Sequence, residues 1–84
     1  MDHAAILAAL TQIFREVFED DALVISEATT ADDVEGWDSM NHITLVVETE
    51  RRFKIKFQTA EIEQLHTVGH LVDLIAAKLA AQGR

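Results

Sequence analysis

The chain has 84 residues, with 15 acids against 7 bases for a formal net charge of -8, and it contains no cysteine. That excludes disulfides, thiolate metal sites and thiol nucleophiles, leaves packing as the source of stability, and sets up a field that repels nucleic-acid phosphates. The length predicts a single domain, residues 1–84, with one small core and little room to wall off a deep catalytic cavity.

The start, Met1-Asp2-His3-Ala4-Ala5, lacks the basic flank of a signal peptide. No apolar run approaches the roughly 18 residues of a membrane span, so a cytoplasmic, monomeric protein is expected. The first helix is marked by Ile6, Leu10, Ile13 and Val17 on one stripe, widened by Leu7, Phe14 and Phe18. Asp2 is placed to cap it. After Asp20 the periodicity stops, and a long acidic segment follows with apolar anchors at Leu23, Val24, Ile25 and Val34. With no proline and little glycine it reads as a loop pinned over the bundle. Between Glu19 and Asp38 lie Glu19, Asp20, Asp21, Glu27, Asp32, Asp33, Glu35 and Asp38 without a single base. Arg51, Arg52, Lys54 and Lys56 form a basic block, and both blocks read equally as solvated surface or as docking surface.

A second helix is expected from about Ser39 to Arg52, capped by Asp38 or Ser39, with Met40, Ile43, Val47 and Val46 as its buried stripe and Phe53 closing its end. Phe53-Lys54-Ile55-Lys56-Phe57 alternates with period two, but no second strand exists to pair with it. It reads as an extended connector whose apolar residues plug the core. A short helix around Ala60 to Gln64 follows. A last helix from about Val68 to Ala81, capped by Thr67, buries Val68, Leu71, Val72, Ile75 and Leu79. The predicted fold is all-α, a small antiparallel bundle of three main helices plus one short helix.

Enzyme chemistry finds little support. Asp38, Ser39 and His42 are the residue types of a catalytic triad, but Ser39 and His42, three apart on one helix, both point outward, with no third group to orient the imidazole and no oxyanion donors around a cleft, and Gly36-Trp37-Asp38-Ser39-Met40 is not a nucleophile elbow. His66 and His70 are spaced like zinc ligands on a helix, yet a break at Thr67 separates them, so they read as surface histidines and no metal site is expected. Pairs such as Asp32 with Asp33 or Glu48 with Glu50 lie where nothing raises a carboxyl pKa for acid catalysis. Taken alone, Ser39 is an ordinary helix cap.

The order of elements carries more. An amphipathic first helix, a long acidic loop, Asp38-Ser39-Met40, a second helix ending in Glu50-Arg51-Arg52-Phe53, then Ile55, Phe57, a short helix and Thr67-Val68 together resemble the acyl carrier proteins. The resemblance implies a non-catalytic carrier with phosphopantetheine, from coenzyme A, on Ser39, flanked by Asp38 and Met40. The arm's thiol would hold acyl intermediates as thioesters for fatty-acid, lipid or polyketide-type biosynthesis. It implies a phosphopantetheinyl transferase and acyl-loading and acyl-transferring enzymes with basic docking patches as partners. Asn41, Thr44, Glu48, Glu50 and Arg51 are the expected partner-binding residues, and Met40, Val47, Ile62 and Leu71 the expected lining of an acyl-chain space. Asn41, Thr44, Arg51 and Arg52 stand where primary fatty-acid carriers usually carry acids, which looks more like stand-alone carriers of specialised pathways. An aminoacyl or peptidyl carrier, or a helical adaptor in which Ser39 is only a cap, remain as alternatives.

Overall fold

The computed structural model describes residues 2–83. Its helices are α1 (His3–Val17), α2 (Ser39–Phe53), α3 (Thr59–Glu63) and α4 (Val68–Gly83), with a single 3-10 turn at Ala31–Asp33 in the long loop. Among the described residues there is no strand; Thr30 and Thr67 form only an isolated antiparallel bridge. None of these helices is long and apolar enough to cross a membrane.

The first helix forms as its sequence dictates. The Asp2 carboxylate accepts from the Ala5 amide at 2.8 Å, capping one of the free N–H groups of the first turn. Ile6, Leu10, Ile13 and Phe14 are buried on one face. The end of α1 meets the segment before α2 through an aromatic cluster: Phe14 lies 5.6 Å from Phe18 and makes an edge contact with Trp37 at 5.3 Å. Helices α1 and α2 therefore run antiparallel.

The second helix turns a different face inward from the one expected. Leu45, Val46, Thr49 and Phe53 are buried, whereas Met40, Ile43 and Val47 are 79 %, 53 % and 44 % exposed. Both sets recur at three- and four-residue spacing, and the polar Thr49 disguises the inward one. Its hydroxyl is satisfied inside the core by donating to the Leu45 carbonyl at 2.8 Å. The helix ends at Lys54, whose left-handed conformation (φ 57°) turns the chain so that the Ile55 amide also donates to the Glu50 carbonyl, at 3.1 Å. The connector then plugs the core with Ile55 and Phe57, as expected.

The long loop is fastened rather than free. Ile25 and Val34 are buried, Arg15 Nε donates to the Leu23 carbonyl at 2.8 Å, and the amides of Val68 and Gly69 donate to the carbonyls of Thr29 and Glu27 at 2.9 and 2.8 Å. Val24, expected among the anchors, is instead 78 % exposed, because its neighbour Ile25 takes the inward position along extended chain.

Helix α3 is too short to hold itself and is tied down by Glu61. That carboxylate accepts from the Gln58 amide at 2.8 Å and pairs with Lys78 at 3.0 Å, while Lys78 Nζ lies 5.5 Å from the centre of the Phe57 ring. The Gln58 bond first, and the Lys78 bond after it, lower the Glu61 pKa below its ordinary value of 4.5. The contribution to stability is therefore present above the ordinary value and lost as pH falls through the depressed one. Thermal unfolding of Glu61→Gln against the parent should show a gap at about pH 7 that closes on acidification; a gap that stays constant with pH would refute the pairing.

Candidate functional site

The junction Gly36-Trp37-Asp38-Ser39 is shaped by its backbone. Gly36 adopts φ 89°, a left-handed conformation that a side chain would strain. Its carbonyl accepts from Asn41 Nδ2 at 2.6 Å, closing the turn. Asp38, extended at φ -108°, caps α2 by accepting from the Asn41 amide at 2.9 Å. With Asp38 as the cap, Ser39 is the first helical residue, exposed and left out of the capping bond. Its hydroxyl projects where the first-turn amides and the positive end of the helix dipole favour a negative group.

Beside Ser39 opens a cleft of about 480 Å³ bordered by Ala31, Trp37, Asp38, Ser39, His42, Ile43, Ile62, Glu63 and Leu65. His42 spans it. Its Nδ1 accepts from Trp37 Nε1 at 3.0 Å, which assigns the remaining proton to Nε2, 3.1 Å from the Ile62 carbonyl oxygen. The two rings also stack with centroids 6.1 Å apart. His42 is thus half-buried, not outward-pointing as expected, and it joins the loop before α2 to α3. Both ring nitrogens are engaged away from Ser39, so the imidazole is not available as a base for that hydroxyl.

The remaining predicted site residues are not brought to one place. Of the four expected acyl-lining residues only Ile62 borders the cleft; Met40 and Val47 lie on the exposed face of α2, and Leu71 is buried in the core at 2 %. Asn41 serves the turn through Gly36. Thr44 is exposed, with its hydroxyl bonded back to the Met40 carbonyl at 3.2 Å. Glu48 pairs with Arg51 at 3.3 Å, a contact of little energetic weight at a surface. Glu50 is half-buried, and its carboxylate accepts from the Phe57 amide at 2.7 Å and anchors the connector. Of the residues that line the cleft, Trp37 and Leu65 carry no role in the sequence expectation, and His42 figures there only as a triad residue type. The spacing of Trp37 and His42 across a helix start was the one available hint. His66 and His70 are both exposed, as expected.

The description "Phosphopantetheine attachment site" belongs to a family model that matches residues 8–75. The acyl carrier protein of Thermotoga maritima is 38% identical over 60 residues, covering 71% of this chain and 73% of that protein. Among solved structures, the solution structure of holo acyl carrier protein from Geobacter metallireducens superposes with TM-score 0.85 at 47% identity, over 90% of this chain and 87% of that one. The crystal structure of the Thermotoga maritima acyl carrier protein gives TM-score 0.84 at 27% identity, over 96% and 94%.

Proposed function

This chain belongs to the acyl carrier proteins, and from that premise we propose that Ser39 holds its phosphopantetheine arm and that the exposed face of α2 receives the enzymes the arm visits. As a member of the family the protein carries covalent phosphopantetheine and is a carrier, not a catalyst. The observation that carries the assignment to Ser39 is its exposed hydroxyl at the first position of α2, freed from capping by Asp38. The residues present suit the group. Free first-turn amides favour the negative charge of a phosphodiester, and the adjoining cleft with Ile62 and Leu65 offers apolar wall to whatever the arm bears. When attached, the group supplies a terminal thiol on a flexible tether, holding an acyl cargo as a thioester at high effective concentration for each partner.

Partners must reach Ser39 across the start of α2, where Met40, Ile43 and Val47 present a continuous apolar stripe. The loop that leads into α2 carries the exposed acids Asp32, Asp33 and Glu35, while Arg51 and Arg52 lie at the other end of the helix. The transferase and the acyl-handling enzymes fit this face with an apolar pocket and a basic patch set toward the loop. The departure from an acidic second helix favours a dedicated carrier of a specialised fatty-acid, lipid or polyketide-type pathway. With a phosphopantetheinyl transferase as probe, Met40→Asp and Ile43→Asp should each lower kcat/KM for loading by about tenfold or more, the loss of a central contact. Both residues are exposed, so the Tm should stay near that of the parent. Loading at the parent rate in both variants would move the docking face elsewhere.

A further inference from the structure

We propose that His3, Glu27 and Asp73 form a binding site for one divalent transition-metal ion, with Zn2+ the best match to the donor set. One donor atom from each lies within 4.8 Å of the others. They come from three separate parts of the chain: the first residue of α1, the long loop, and the second turn of α4. The site lies at the opposite end of α1 from the aromatic cluster beside Ser39, about 22 Å away along a helix of 15 residues, and it does not rest on the carrier reading.

The scaffold holds these three positions by bonds independent of any ion. The Asp2 cap fixes the start of α1. The Glu27 carbonyl accepts from the Gly69 amide at 2.8 Å, and the approach is so close that a Cβ on Gly69 would lie 2.8 Å from that oxygen and 3.1 Å from the Glu27 Cβ. Glu27 is thereby pressed onto α4 one turn before Asp73. The fold thus brings two exposed carboxylates and an imidazole to one place on a chain of net charge -8, whose field draws cations. His3 Nε2 stands 3.6 Å from Asp73 Oδ1, within ion-pair distance though beyond hydrogen-bond length.

The chemistry of the set selects the ion. Oxygen-only sites suit Mg2+ and Ca2+, whereas an imidazole nitrogen with two carboxylates suits Zn2+ and its neighbours in the first transition row. Metal–ligand bonds of about 2.0–2.2 Å require the donors to close in from their present spacing, which small rotations of three exposed side chains allow. Water completes the coordination. A bound ion staples the start of α1, the loop and α4 to one another, so binding to the folded state alone raises its stability.

The test is thermal unfolding and calorimetric titration of the full chain, first stripped with a chelator. Millimolar Zn2+ should raise the Tm by about 5 °C or more with one ion bound per chain, and Mg2+ at equal concentration should raise it far less. His3→Ala and Asp73→Asn should abolish the zinc-specific shift yet unfold cooperatively without metal, because both residues are exposed. Equal shifts from Zn2+ and Mg2+ would reduce the effect to charge screening and overturn the proposal. So would a zinc shift that survives His3→Ala, or one lost in His66→Ala or His70→Ala instead.

Discussion

Ser39→Ala should gain no mass when incubated with coenzyme A, magnesium and a broad-specificity phosphopantetheinyl transferase, under conditions in which the parent gains one phosphopantetheinyl group. The comparison is informative because the substitution should leave the fold intact. Asp38, not Ser39, accepts from the Asn41 amide, so removing the Ser39 hydroxyl takes away no capping bond and should change stability by no more than about 0.5 kcal/mol. Asp38→Ala removes the cap itself and should cost about 0.5–2 kcal/mol. The two variants therefore separate the carrier reading from that of a helical adaptor with a structural serine. A folded parent that gains no mass with several transferases, or a Ser39→Ala chain that does gain it, would remove Ser39 from the mechanism.

Phe14→Ala should produce the largest loss of stability of any single truncation considered. The side chain is fully buried and touches both halves of the site's support, Phe18 at 5.6 Å and Trp37 at 5.3 Å. Removing such a ring leaves a cavity that the surrounding helices cannot fill and costs about 3–5 kcal/mol. For a domain of this size that corresponds to a fall in Tm of roughly 15 °C or more, within a total stability commonly near the low end of 5–15 kcal/mol. Loading at Ser39 should slow even below the transition, since Trp37 loses the partner that holds the turn before α2. Val24→Ala, at an exposed position, is the control and should be nearly silent. A Tm change under about 2 °C for Phe14→Ala would contradict the packing described.

Much of this was legible in the chain itself, and the failures have identifiable causes. Helix α1 was readable because Ile6, Leu10 and Ile13 have no rival stripe and Asp2 precedes them as a cap. The start of α2 was readable because Asp38-Ser39 stands where acids and turn formers give way to helical periodicity. Helix α2 was not, because Met40, Ile43 and Val47 compete with Leu45, Val46 and Phe53 at the same spacing. Only the position of α1 and Trp37 decides between them, and that is tertiary information. Glu50 reads as a free surface acid until the connector brings the Phe57 amide to it, and His42 reads as exposed until Ile62 arrives from α3. His3, Glu27 and Asp73 are distant in sequence and share no periodicity, so nothing short of the fold could assemble them.

Trp37, the chain's one tryptophan, stacks on His42 at the mouth of the cleft and donates its indole proton to that ring. Emission excited at the red edge of protein absorbance therefore originates from a single indole, about two residues from the proposed point of attachment and against the wall that any cargo entering the cleft must brush. On the proposed attachment at Ser39, loading should alter this emission, so that a stopped-flow fluorescence trace would follow it in real time without a dye.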